Sequence, residues 1–146
     1  MAKAIYHKGV RTTTKGQQKK YYTQMTQEEI NYLYSEILKI SRLRVQSHMW
    51  DKIDKYELDA FFVRNVLDRI TKESIIEYNN GRGQERRVVL EDKRNTIEAS
   101  DGSTMFLTVV IDVDKQCFVT LWVNDINDTH DTIDMKYYNK NLQIIK

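Results

Sequence analysis

Two hydrophobic periods divide the chain. Between Gln27 and Ile70 apolar residues return every three or four positions; from Ile75 onward they alternate or run together. Ile30, Leu33, Tyr34, Ile37 and Leu38 form one helical stripe, and Thr26-Gln27-Glu28-Glu29 before it has the pattern of a capping box. The spacing predicts a helix over about Gln27–Ser41. Arg42-Leu43-Arg44-Val45 alternates as a short strand does. Ser47 is a suitable N-cap for a helix running to about Lys55, with His48 in its first turn and Lys52 four residues on, on the same face. The positive end of the helix dipole there disfavours an imidazolium. Leu58, Phe61, Phe62, Val66, Leu67 and Ile70 predict a further helix, broad enough on its apolar side to be buried against a sheet.

The second half reads as strands. Ile75–Tyr78 is short and ends in the loop Asn79-Asn80-Gly81-Arg82-Gly83. Arg86–Glu91 follows, then a polar stretch with an Asp101-Gly102 turn, then the apolar strand Met105–Ile111. Asp112–Gln116 connects it, as a hairpin, to Cys117–Val123. In that last strand Phe118, Thr120 and Trp122 face one way and Val119, Leu121 and Val123 the other, so both faces are apolar, which predicts a central strand covered on both sides. Asn124 to Thr132 is then dense in Asn, Asp, Thr and His, and Tyr137, Tyr138 and Leu142–Ile145 close the fold. Helices first and strands afterwards argue an α+β fold: N-terminal helices packed on an antiparallel sheet of about four strands.

Composition changes this picture at the N-terminus. The 146 residues suit one domain, with 40% hydrophobic and 30% charged residues and no run apolar enough for a bilayer. No signal peptide is evident and the expected location is cytoplasmic; Cys117, the single cysteine, is expected to be a core residue. Net charge is only +2, yet Lys3, Lys8, Arg11, Lys15, Lys19 and Lys20 fall in the first twenty residues with no acid among them. With no apolar pattern, residues 1–22 read as a flexible, disordered basic arm and 23–146 as the folded domain. Lys8, Arg11, Lys15, Lys19 and Lys20 are suited to phosphates, and Tyr21 and Tyr22 to stacking on bases. A solubilising tail is the competing reading.

Other chemistries lack their motifs. There is no Gly-rich phosphate loop, no C-x-x-C and no H-E-x-x-H. Asp112, Asp114, Asp125, Asp128, Asp131 and Asp134 do not follow the EF-hand spacing, and turn formation accounts for most of them. No metal or cofactor is expected.

Ser47-His48 with Lys52 and Lys55, the strand Ile75-Ile76-Glu77-Tyr78, the strand Arg86-Arg87-Val88-Val89-Leu90, and the ending Trp122-Val123-Asn124-Asp125 through His130, Thr132, Asp134 and Tyr138 together resemble the barnase–EndoU–colicin–RelE superfamily of small endoribonucleases, closest to BrnT-type and phage-encoded members. The resemblance covers residues 45–140; lysines stand at 52 and 55 where such relatives often have arginine. It implies metal-independent cleavage, in which the ribose 2′-OH attacks its own phosphate. On that reading His48 and His130 are the acid and base. Thr132 and Tyr138 bond the phosphate, and Lys52, Arg86 and Arg87 stabilise charge. The implied partner is RNA or a host protein–RNA complex. A non-enzymatic inhibitor of anti-CRISPR type, occupying an RNA-guided nuclease or its guide RNA, is the alternative. A DNA-compacting accessory protein is a third. The sequence does not give the oligomeric state.

Overall fold

The structure, a computed structural model, describes residues 17–81, 83–128 and 133–145. It is an α+β fold built on five antiparallel strands in sequential order: β1 (Lys19–Tyr21), β2 (Ile75–Asn79), β3 (Arg87–Glu98), β4 (Thr104–Asp112) and β5 (Cys117–Asp125). Three α-helices precede β2: α1 (Gln27–Leu38), α2 (Ser47–Lys55) and α3 (Ala60–Arg64).

The capping box forms as its residues require. Thr26 Oγ1 accepts from the Glu29 N–H at 3.1 Å and Glu29 Oε1 accepts from the Thr26 N–H at 2.9 Å. The α1 stripe buries Leu33 and Ile37. α1 stops at Leu38 rather than Ser41, and Arg42–Val45 makes one bridge, Arg44 to Cys117, instead of a strand. The helix expected over Leu58–Ile70 is also broken. Asp59 caps α3 by accepting from the Phe61 N–H, and Asn65 Nδ2 donates to the Phe61 carbonyl at 2.8 Å. An asparagine side chain bonding the carbonyl four residues back competes with the helical ladder, and Val66–Asp68 continues only as a 3-10 turn.

Alternation along the register assigns the two faces of the sheet. Val88, Leu90, Leu107, Val109, Ile111, Leu121 and Val123 meet the helices in one core with Leu33, Ile37, Met49, Ile53 and Val63. On the other face Tyr21, Ile76 and Tyr138 form a second, smaller cluster with Ile133 and Tyr137 packed against it. Cys117 is buried, as expected of a core residue. The β4–β5 hairpin is turned by Asp112, whose Oδ1 accepts from the N–H groups of Asp114 and Lys115. Among the described residues no helix is long and apolar enough to cross a membrane.

Two differences from the sequence reading bear on function. The additional strand is β1, and it lies inside the stretch assigned to the arm. Lys19 pairs with Asn79, Lys20 with Tyr78 and Tyr21 with Glu77. The arm as drawn therefore ends too late. β5 is an edge strand, not a central one. Phe118, Leu121 and Val123 are buried in the helix-side core, whereas Val119, Thr120 and Trp122 are only partly buried; its free edge is covered by α2.

Candidate functional site

His48 sits in the first turn of α2, which lies along the β5 edge. Its Nε2 is 2.9 Å from the Val119 carbonyl oxygen, so the ring donates and the proton belongs on Nε2. One turn later Lys52 Nζ reaches towards the Leu121 carbonyl at 3.5 Å, a long contact. Desolvation, and then repulsion from Lys55, lowers the Lys52 pKa. The match is geometric: four helical residues rise about 6 Å and two strand residues about 6.6 Å, so side chains at i and i+4 meet carbonyls at j and j+2. Just upstream, the Arg44 backbone donates to the Gln116 carbonyl and accepts from the Phe118 N–H. An edge strand's unpaired backbone groups are thus occupied, which protects the edge from pairing with other chains.

Arg86 is also held within the fold. Its Nε and Nη2 fork onto Asp114, with Nη2 2.5 Å from Oδ1, while Nη1 bonds Glu36 at 2.7 Å and the Tyr32 hydroxyl at 2.9 Å. The Asp114 hydrogen bonds, and then those to Glu36, raise its pKa further above the ordinary arginine value against the effect of burial. Arg87 pairs with Glu85 through Nη2 at 2.6 Å, and its Nε is buried without a hydrogen bond.

Tyr138 lies elsewhere. Its hydroxyl bonds Glu77 Oε1 at 2.6 Å, and its ring packs edge-on against Tyr21 with centroids 5.6 Å apart. Glu77 is on β2, on the face away from the helices. β2 and β5 are three strand spacings apart, roughly 14 Å. His48 and Tyr138 therefore do not share one reacting phosphate. His130 and Thr132 lie outside the described residues, as do Lys8, Arg11 and Lys15.

Lys19 and Lys20 are corrected from phosphate ligands to fold residues. Lys19 is 3% exposed, with Nζ 5.0 Å from the Tyr138 ring centroid. Lys20 is 6% exposed and its Nζ donates to both Glu29 oxygens and to the Leu142 carbonyl. Neither ammonium is placed to meet a phosphate chain without unpacking the strand that carries it. Among the described residues no three His, Cys, Asp or Glu side chains are grouped as a metal site.

One feature escaped the sequence reading. A cleft of about 380 Å³ opens between the Ile40–Leu43 segment and the α3 region, lined among others by Arg42, Phe61, Arg64 and Asn65. Phe61, expected in the buried stripe, is 76% exposed. The signal was present: adjacent Phe61 and Phe62 point about 100° apart on a helix and cannot both face one core. Phe62 takes the inner position, with the Arg69 guanidinium 3.7 Å above its ring.

No family model matches this chain, and neither a curated protein nor a solved structure matches it.

Proposed function

We propose that this protein is directed at RNA or an RNA–protein complex and acts by binding it, in the manner of an anti-CRISPR-type inhibitor, rather than by cutting. The observation that carries this reading is how the candidate catalytic groups are used. Within the described residues His48, Lys52, Arg86, Arg87 and Tyr138 each contact a group of the fold itself, and they are spread from the β5 edge to β2. General acid–base work needs its groups within about 3 Å of the reacting atoms, and His48, the described one of the two candidate histidines, already holds the Val119 carbonyl through Nε2. Affinity for a polyanion is supported by Lys3, Lys8, Arg11 and Lys15, which stand in the first sixteen residues without an acid among them.

The test is incubation with total RNA in EDTA, using the wild type beside His48→Ala and His130→Ala, with binding followed on the same samples. The expected outcome is intact RNA that is retained by all three proteins. Metal-independent cleavage that both substitutions abolish would instead establish the endoribonuclease. Binding should weaken with salt, and deleting residues 1–16 should reduce the slope of log affinity against log salt by about 3, at roughly 0.7 for each of four phosphates neutralised on a single strand.

A further inference from the structure

We propose that the cleft between the Ile40–Leu43 segment and α3 is a single-stranded RNA subsite: Phe61 stacks on a base, and Arg42 and Arg64 neutralise the flanking phosphates. This rests on the RNA-directed reading above and deepens it by naming where the strand is held.

α3 and the turn after it carry two aromatic residues and two arginines. One of each is used internally: Arg69 lies over the Phe62 ring and bonds Asp92 at 2.8 Å. The other two are left outward. Phe61 is 76% exposed, and Arg64, three residues on, is exposed on the same side of the helix. Arg42, also exposed, lines the facing wall. Among the described residues neither the Arg42 nor the Arg64 side chain has a hydrogen bond or an ion pair, in contrast to those of Arg69, Arg86 and Arg87, which have at least one each. A flat, solvated aromatic ring flanked by unpaired guanidinium groups is the platform on which single-stranded nucleic acids stack without regard to sequence.

The size and the polar rim agree. About 380 Å³ lies in the usual range for a small-ligand cleft, roughly 300–1,000 Å³. Asn65 donates its Nδ2 to the Phe61 carbonyl, which leaves its Oδ1 as an acceptor, and the Asp68 carboxylate at the same cleft is a second acceptor. Acceptors suit the exocyclic amino groups of adenine or cytosine. A strand of acidic peptide would satisfy the arginines, but it would leave the Phe61 ring unstacked and its carboxylates would offer the Asn65 and Asp68 acceptors no donor.

The experiment is fluorescence anisotropy of a labelled twelve-nucleotide oligo(A) RNA with the full chain, over a range of salt, supported by total-RNA binding. Phe61→Ala should weaken oligo(A) binding roughly 5- to 150-fold, the range of one lost base stack. Arg42→Ala/Arg64→Ala should reduce the salt slope by about 1.4, two phosphates on a single strand. Trp50→Ala, which removes a 40% exposed aromatic outside this cleft, should leave affinity unchanged. All these positions are on the surface, and thermal melts matching the wild type would show that the fold is kept. If the wild type binds RNA but the cleft variants bind as well as it does, or Trp50→Ala weakens binding as much as Phe61→Ala, the cleft assignment is overturned and the RNA reading stands. If the wild type binds neither oligo(A) nor total RNA, both fall together. Binding of an Asp/Glu-rich peptide that Phe61→Ala abolishes, with oligo(A) unable to compete, would make the cleft a protein site and overturn the proposal.

Discussion

Replacing Lys20 by Met separates a phosphate-binding lysine from a fold-holding one. The side chain of Lys20 is 7% exposed and that of its partner Glu29 is 12% exposed. Its ammonium lies 2.9 and 2.8 Å from the two carboxylate oxygens and 3.2 Å from the Leu142 carbonyl, so it ties β1 to α1 and to the C-terminal segment. Methionine keeps most of the stem but removes the charge. Glu29 then stays largely buried with one remaining donor, the Thr26 N–H. Breaking a buried pair from one side costs about 3–5 kcal/mol. The residual exposure of Glu29 and its retained cap bond place this case near 3 kcal/mol. With a urea m-value of about 2 kcal/mol/M the midpoint should fall by about 1.5 M, and the melting temperature by about 10 °C. Glu29→Gln keeps the capping acceptor and removes the charge, so Lys20→Met should cost only about 1 kcal/mol in that background, a coupling of about 2 kcal/mol. RNA affinity per folded molecule should not change. A loss under about 0.5 kcal/mol, or an equal loss in both backgrounds, would refute the buried pair and return Lys20 to the arm. By the same reasoning deletion through residue 22 removes β1 and should destabilise the domain, whereas deletion of residues 1–16 should not.

Tyr138→Phe removes a buried hydroxyl that bonds Glu77 at 2.6 Å and should cost about 2 kcal/mol in urea unfolding, as expected for a hydrogen bond to a charged group; a neutral result would mean that the hydroxyl holds nothing. Glu36 gives a pH test. The Lys39 ammonium, and then the Arg86 guanidinium, hold its carboxyl below the ordinary value of 4.5. A lowered folded pKa adds stability that is fully present above about pH 4.5 and is lost as pH falls through the lower folded value. Unfolding midpoints between pH 6 and pH 3 should therefore drop less steeply in Glu36→Gln than in the wild type; identical slopes would reject the assignment.

The helix-side core was legible because both of its halves write local periods: the α1 stripe buries Leu33 and Ile37, though Leu38 at the helix end is 62% exposed, and the runs from Val88 to Val123 supply the sheet side. β1 was not legible, for a physical reason. Lys-Lys-Tyr carries no apolar alternation, and the position facing the core is made acceptable by a carboxylate nine residues away. A charge buried by pairing leaves its signal in two places, and neither reads as a strand alone. β5 misled differently. Apolar residues on both faces speak of cover above and below, which Thr120 and Trp122 have only in part, and they say nothing of what lies beside a strand. Lateral position is decided by backbone groups, and at β5 those are met by α2 and by the Arg44 backbone. The same fact explains the candidate site. Histidine and lysine one turn apart were singled out for chemistry, since those types bind and move protons. Yet a protonated ring nitrogen and an ammonium are also donors, and an edge strand presents carbonyls at the matching interval. His48, marked for acid–base work, has its Nε2 on the Val119 carbonyl of the fold. Phe61 shows the reverse case: an aromatic counted into a buried stripe was, by the 100° step from its neighbour, the one residue of the pair left for something outside the chain to meet.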